Sequence, residues 1–343
     1  YNILFYARKV EITRSMEQFR TEVEAPEFSF DINHRSVVTM LGSCFAENMG
    51  DLMSGVKVNT LANPFGILFN PFSIMNSLER MLNNRPYEEG DLLQVGDHWV
   101  SLDHHGKFNN QDKSTALASI NASLLRGRNQ LLSSDVVFIT LGSSWVYEHL
   151  QQERVVANCH KIPNKEFNKR ILTQQEVHLI LRHVPELFRA KKLKAKIVFT
   201  VSPVRHWKDG ATENQRSKSQ LLSAVHSVVD EFDNCHYFPS YEYMMDDLRD
   251  YRFYATDMLH PSPQAIDYVW QKFQTSFFSD ETRLICKEIS AVIQAASHRP
   301  LDPESNSFQR FLKKQLEIID QLEKSYPQLS LSEERKSFQG YQL

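Results

Sequence analysis

The sequence predicts an α/β protein, a three-layer α/β/α sandwich on a parallel sheet with a helical C-terminal extension. Three observations carry this expectation. Short runs rich in Val, Ile, Phe and Thr recur at 37–41, 136–141 and 197–201, with a shorter one at Tyr237 and Phe238. The first three are almost uninterrupted, as strands buried on both faces are. Helical patterns lie between them, at 71–83, 174–191 and 214–233. Strands alternating with helices imply parallel βαβ units.

The remaining elements follow in order. A helix over 46–52 is expected directly after the first run. Segment 92–108 reads as a small strand pair or an irregular insertion, and the polar segment 152–167 as another insertion. Ser262 is a natural cap for a helix with Pro263 at its first position. A further helix over 302–325 carries Phe308, Phe311, Leu312, Leu316, Ile319 and Leu322 at helical spacing. It reads as a helix docked on the core. From Pro327 on, the tail is polar and is expected to be loose. The expected organisation is an N-terminal extension 1–27, one domain over 28–300, and a C-terminal helix and tail over 301–343. Met16 is a candidate initiator, and the opening ten residues do not read as a signal peptide.

Composition excludes several classes. Of 343 residues, 41% are hydrophobic and 11% aromatic, which argues against disorder. Thirty-nine Lys and Arg against 42 Asp and Glu give a net charge of −3, so a basic footprint for nucleic acid is missing. Only 11 Gly occur, and neither GxGxxG nor GxxxxGK[ST] is found. The longest uncharged stretch, 58–78, holds four Asn and two Pro, so no integral membrane segment is expected. Cys44, Cys159, Cys235 and Cys286 are far apart in sequence and form no CxxC. They read as reduced thiols in a cytoplasmic compartment. His98, His104 and His105 read as a surface cluster without metal-ligand spacing. Neither a metal nor a cofactor is expected.

Five motifs could carry chemistry. Gly42-Ser43-Cys44-Phe45-Ala46 leaves the first buried run and enters a helix. A thiol there sits near a helix N-terminus, where thiolate is favoured; a buried, inert Cys is the plainer alternative. Asn63-Pro64-Phe65-Gly66 offers a backbone N–H for an oxyanion, or simply turn residues. Gly142-Ser143-Ser144-Trp145 follows the second run, and Ser202-Pro203-Val204-Arg205-His206 follows the third. Arg205 suits an anionic group or a surface carboxylate. Asp257 three residues before His260 suits a carboxylate that orients an imidazole, or an ordinary turn.

In this order, with NPFG and DxxHPS in place, the motifs resemble the GSCFA family over about 28–278, and more distantly the SGNH (GDSL-like) hydrolases. The resemblance implies acyl transfer, as an esterase-type hydrolase or an acyltransferase. It places the nucleophile on Cys44, or on Ser43 if the register slips by one. It places the catalytic Asp and His on Asp257 and His260, and the oxyanion Gly on Gly66. The Gly-x-Asn-Asp string of SGNH hydrolases falls on Gly142–Trp145, so the oxyanion Asn becomes Ser144, with Ser143 as a substitute. Asn63, Gly142 and Arg205 are the further substrate-binding candidates. The expected partner is a small-molecule, glycan or lipid acyl substrate. The alternative is a non-catalytic ligand- or glycan-binding module on the same fold.

Overall fold

The computed structural model describes residues 21–298 and 302–341. Met16 and most of the expected N-terminal extension lie outside the described residues. Five strands form one parallel sheet in the order β2 (Asn59–Ala62), β1 (Val37–Gly42), β5 (Val136–Leu141), β9 (Lys196–Val201), β10 (Cys235–Tyr237). The expected α/β/α sandwich is therefore present, and β5 is buried along its whole length.

Alternation along the strands divides the core. Val137, Ile139 and Leu141 face α2 (Pro71–Leu82), α3 (Lys113–Ser133), α4 (Gln174–Ala190) and α5 (Gly210–Glu231). Val136 and Phe138 face α1 (Cys44–Gly55) and α7 (Pro263–Phe277) on the other side. A one-residue slip in register would exchange these two faces. The helices begin where capping chemistry places them. Asn70, Thr173 and Ser262 each accept a backbone N–H of their own first turn, and Pro71 and Pro263 open α2 and α7.

Insertions decorate this frame. Segment 92–108 contains the hairpin β3 (Leu93–Val95) and β4 (His98–Val100). The segment expected to be a polar insertion belongs to an antiparallel sheet of β6 (Trp145–His149), β7 (Arg154–Val156) and β8 (Phe167–Ile171). After β10 come a short helix α6 (Ser240–Glu242) and a π-turn over Tyr243–Asp247.

The C-terminal end departs from the sequence expectation. α8 (Asp280–Ser297), α9 (Asn306–Ser325) and α10 (Ser332–Gln339) bury Ile289, Leu312, Ile319, Leu331 and Phe338 against one another. α9 therefore docks on α8 and α10, and the tail after Pro327 is packed. Lys57 ties this unit to the sheet domain through an ion pair with Glu334 at 2.8 Å. No helix among the described residues is long and apolar enough to cross a membrane.

Candidate active site

The chain leaves β1, turns back to β2, then crosses to β5 on the other side. Ligands collect at such a switch point, beyond the carboxyl ends of the strands. Gly42, Leu141 and Val201 end neighbouring strands there, with Gly42 paired to Thr140 and Leu141 to Val201.

Gly42 makes the turn possible. Its φ is +127°, and a Cβ at this position would lie 2.0 Å from the Thr140 carbonyl oxygen. Ser43 donates its N–H to that same oxygen at 3.1 Å. Ser43 then caps α1: its hydroxyl accepts the Phe45 N–H at 3.3 Å, and the residue is 1% exposed. Cys44 is the first residue of α1 and is half-buried. The structure thus directs the Ser43 side chain inward and leaves the Cys44 sulfur as the more accessible of the two side chains.

Loop 63–70 lies across these strand ends. Asn63, in a left-handed conformation, accepts the Gly42 N–H at 2.8 Å and donates to the Ser43 carbonyl at 3.4 Å. The Leu68 N–H reaches the Gly42 carbonyl at 2.9 Å. The Phe69 carbonyl accepts the N–H groups of both Gly142 and Ser143. Gly66 has φ +78°, and a Cβ there would lie 2.2 Å from the His105 Cβ.

Several expected oxyanion donors already have partners. The Gly66 N–H donates to the Asn63 carbonyl at 2.8 Å. Ser144 is fully buried, and its N–H donates to the Ser217 hydroxyl at 2.8 Å. The Ser143 and Ser144 hydroxyls also meet Ser217.

The thiol differs from the sequence expectation in its acidity. Burial pushes the Cys44 thiol up, although the N–H groups of Phe45 and Cys44 and the charge of Lys218 pull it down. The helix terminus acts in the expected direction, but desolvation outweighs it.

Asp257 and His260 form a pair. His260 Nδ1 donates to Asp257 Oδ2 at 2.6 Å, and Asp257 Oδ1 accepts the N–H groups of Leu259 and His260. Those backbone donors, with the imidazole, hold the Asp257 carboxyl down to about 2. Both side chains are about half exposed. The loop is fastened to the strand edge: Arg205 donates its N–H to the Leu259 carbonyl at 3.3 Å. The Arg205 guanidinium lies 4.6 Å from the Trp207 ring centroid, and its charge acts on Tyr241 and Tyr254.

Lys218 escaped the sequence reading, and His206 enters it only as the end of the motif after the third run, without a role. Lys218 of α5 is fully buried and donates to the carbonyls of Gly142 at 2.8 Å and Ser202 at 2.6 Å. His206 has a buried, unpartnered Nε2. A Cβ on Gly142 would approach that nitrogen to 3.2 Å. Burial, with the charges of Lys218 and His260, lowers His206 to about 4. Lys218 acts on Cys44 and on His206, and His260 acts on His206. The four groups therefore form one electrostatically connected set.

A family model matches residues 37–273, all five strands of the parallel sheet and every candidate residue above. The chain belongs to the GSCFA family. A second model, the C-terminal domain of GSCFA domain proteins, matches residues 289–341 and takes in the end of α8 with α9 and α10 of this GSCFA protein. No curated protein matches the chain. No group of three or more His, Cys, Asp or Glu suited to a metal ion occurs among the described residues. Of the insertion's histidines, His98 is exposed and His105 half-buried, but His104 leaves the expected surface cluster. His104 is fully buried, stacked 4.4 Å from the Phe65 ring centroid, and burial lowers it to about 3.

Proposed function

We propose that this GSCFA protein is an acyl-transfer enzyme, an ester or thioester hydrolase or an acyltransferase of the SGNH-like class. The observation that carries the reading is the Asp257–His260 pair at 2.6 Å, on a loop fastened to the strand edge from which Cys44 opens α1. His260 Nε2 takes the Cys44 thiol proton as sulfur bonds to the substrate carbonyl. Asp257 holds the opposite ring nitrogen and stabilises the imidazolium. Collapse of the tetrahedral intermediate expels the alcohol or thiol, which leaves with the His260 proton. Water or an acceptor alcohol or amine then takes the acyl group from the thioester.

The Cys44 N–H at the start of α1 and the Asn63 amide are the oxyanion donors of this scheme. The Asn63 Nδ2 has only the long contact to Ser43 to give up. Gly66, Ser143 and Ser144 contribute only if they release Asn63, Phe69 and Ser217.

Arg205 makes no ion pair among the described residues and lines a groove of about 570 Å³ with Gln215, Arg216 and Ser219. It suits an anionic part of a small-molecule, glycan or lipid acyl substrate. All four cysteines are free, and a thiol nucleophile suits the reducing cytoplasm.

A panel of acyl esters and thioesters of graded chain length tests the proposal. Turnover with a covalent acyl adduct on Cys44 is expected. The alternative, a ligand- or glycan-binding module, draws on the upward push on the thiol and on the occupied donors. Saturable binding without an adduct or turnover would select it.

A further inference from the structure

Lys218 stands out among the buried polar groups. It is fully buried, and among the described residues it makes no ion pair. An ammonium taken out of water without a carboxylate is costly. Its two acceptors are the carbonyls of Gly142 and Ser202, the first residues beyond β5 and β9. Ser43 donates to Thr140, two residues before Gly142, so Lys218 is fixed at the strand edge that delivers Cys44.

The ionisable groups that act on it or face it come from three elements: Cys44 on α1, His206 on the loop after β9, and Tyr241 of α6, whose ring lies 5.9 Å from Nζ. Burial holds the Cys44 thiol up, and Glu47 of α1 acts on it in the same sense, so Lys218 is the charged side chain that opposes them. Burial lowers Lys218 to about 7, and the Cys44 charge raises it again. The coupling is mutual: a thiolate at Cys44 favours the ammonium at Lys218, and the ammonium favours the thiolate.

We propose that Lys218 is a positioning residue that supplies positive charge for Cys44: its N–H groups are fixed on the Gly142 and Ser202 carbonyls, which holds the ammonium at the strand edge from which α1 opens, and its field favours the thiolate over the thiol. In the attack step the Cys44 S–H bond breaks and the proton goes to His260 Nε2. Lys218 remains an ammonium until sulfur has bonded to the carbonyl carbon. This rests on the reading of Cys44 as nucleophile. A purely structural lysine would do no more than satisfy two strand-end carbonyls.

Lys218→Gln separates the two roles, since an amide donates to both carbonyls but carries no charge. The readout is the rate of Cys44 alkylation by iodoacetamide between pH 5.5 and 9.5, followed by peptide mass, with the thermal midpoint measured alongside. At pH 7 the variant should react at least tenfold more slowly at Cys44, with the inflection moved up and Cys159 labelling unchanged. An unchanged Cys44 profile in a folded variant would overturn the proposal. Should the variant not fold, the reciprocal measurement decides. In protein carrying ¹³Cε-lysine, Cys44→Ala should move the Lys218 titration downwards by NMR, and an unmoved titration would overturn the proposal. Labelling and NMR read the charge coupling without turnover. A shifted profile in a protein that cleaves no ester would therefore retire the enzyme reading and leave the Lys218–Cys44 pair standing.

Discussion

The Asn63 side chain accepts the backbone N–H of Gly42 at 2.8 Å, and so a loop residue fixes the turn that delivers Cys44 to the start of α1. Gly42 has no room for a side chain, and Asn63 holds a left-handed conformation to reach it. The strand end and the loop form one unit. A change in either should disturb the sulfur position before it unfolds the sheet.

Gly42→Ala should lower stability by roughly 2–4 kcal/mol, because the new Cβ meets backbone that cannot withdraw. Asn63→Ala should cost about 1–3 kcal/mol by leaving a buried N–H unpaired. Urea unfolding at pH 7 checks both. Asn63→Ala should also slow ester turnover more than its stability loss accounts for.

Ser43 and Cys44 should separate cleanly. Cys44→Ala should abolish turnover and the covalent adduct. Ser43→Ala should retain a measurable part of the rate, while losing about 1 kcal/mol of stability with the cap of α1. Steady-state rates and thermal midpoints of the two variants decide the assignment. A dead Ser43→Ala beside an active Cys44→Ala would move the nucleophile back by one residue.

His260 and Asp257 should matter for turnover and little for folding, since both side chains are half exposed. His260→Ala should change stability by no more than about 0.5 kcal/mol. Asp257→Asn should lower the rate on the order of 10³-fold, because the amide N–H can donate to Nδ1 and hold the wrong tautomer, and a neutral amide no longer stabilises the imidazolium. The Asp257 carboxyl is held down to about 2 by the N–H groups of His260 and Leu259. It stays charged through the working range, so an acid limb in the rate above about pH 4 belongs to another group. Rate profiles of wild type and Asp257→Asn check this.

The sheet and the order of its motifs were legible because β1, β5 and β9 are almost uninterrupted apolar runs, each closed by a polar string. Helix starts were legible wherever a capping residue precedes proline, as at Ser262 and Pro263. α8 and α10 were not, because most of their residues are polar and their few apolar anchors acquire meaning only against each other. Lys218 left a trace. Asn214, Ser217, Leu221, Ala224, Val225 and Val228 form the buried stripe of α5, and Lys218 falls on it. A lysine on the inner stripe of an amphipathic helix is the signal that was present. His104 left none, because Phe65 and Tyr87, which bury it, lie far from it in sequence.

His104 should make the protein sensitive to acid. Its Nδ1 meets the Ser101 hydroxyl at 2.8 Å, its Nε2 has no partner, and Phe65, Tyr87 and Phe108 enclose the ring. Burial first, then the charges of Arg80 and His160, lowers it to about 3. An unfolded histidine titrates near 6.5. Below that pH the unfolded chain therefore takes up a proton that the folded chain refuses. Stability is full above about 6.5, starts to fall below it, and has lost the whole contribution once the pH has passed down through about 3. The loss between those limits is on the order of 4 kcal/mol. His104→Phe keeps an aromatic ring among aromatic neighbours and removes the titration. Its urea midpoint should fall less steeply between pH 6.5 and 4 than that of wild type. Parallel midpoints for the two proteins across that range would show that His104 is not the group that sets the acid limit.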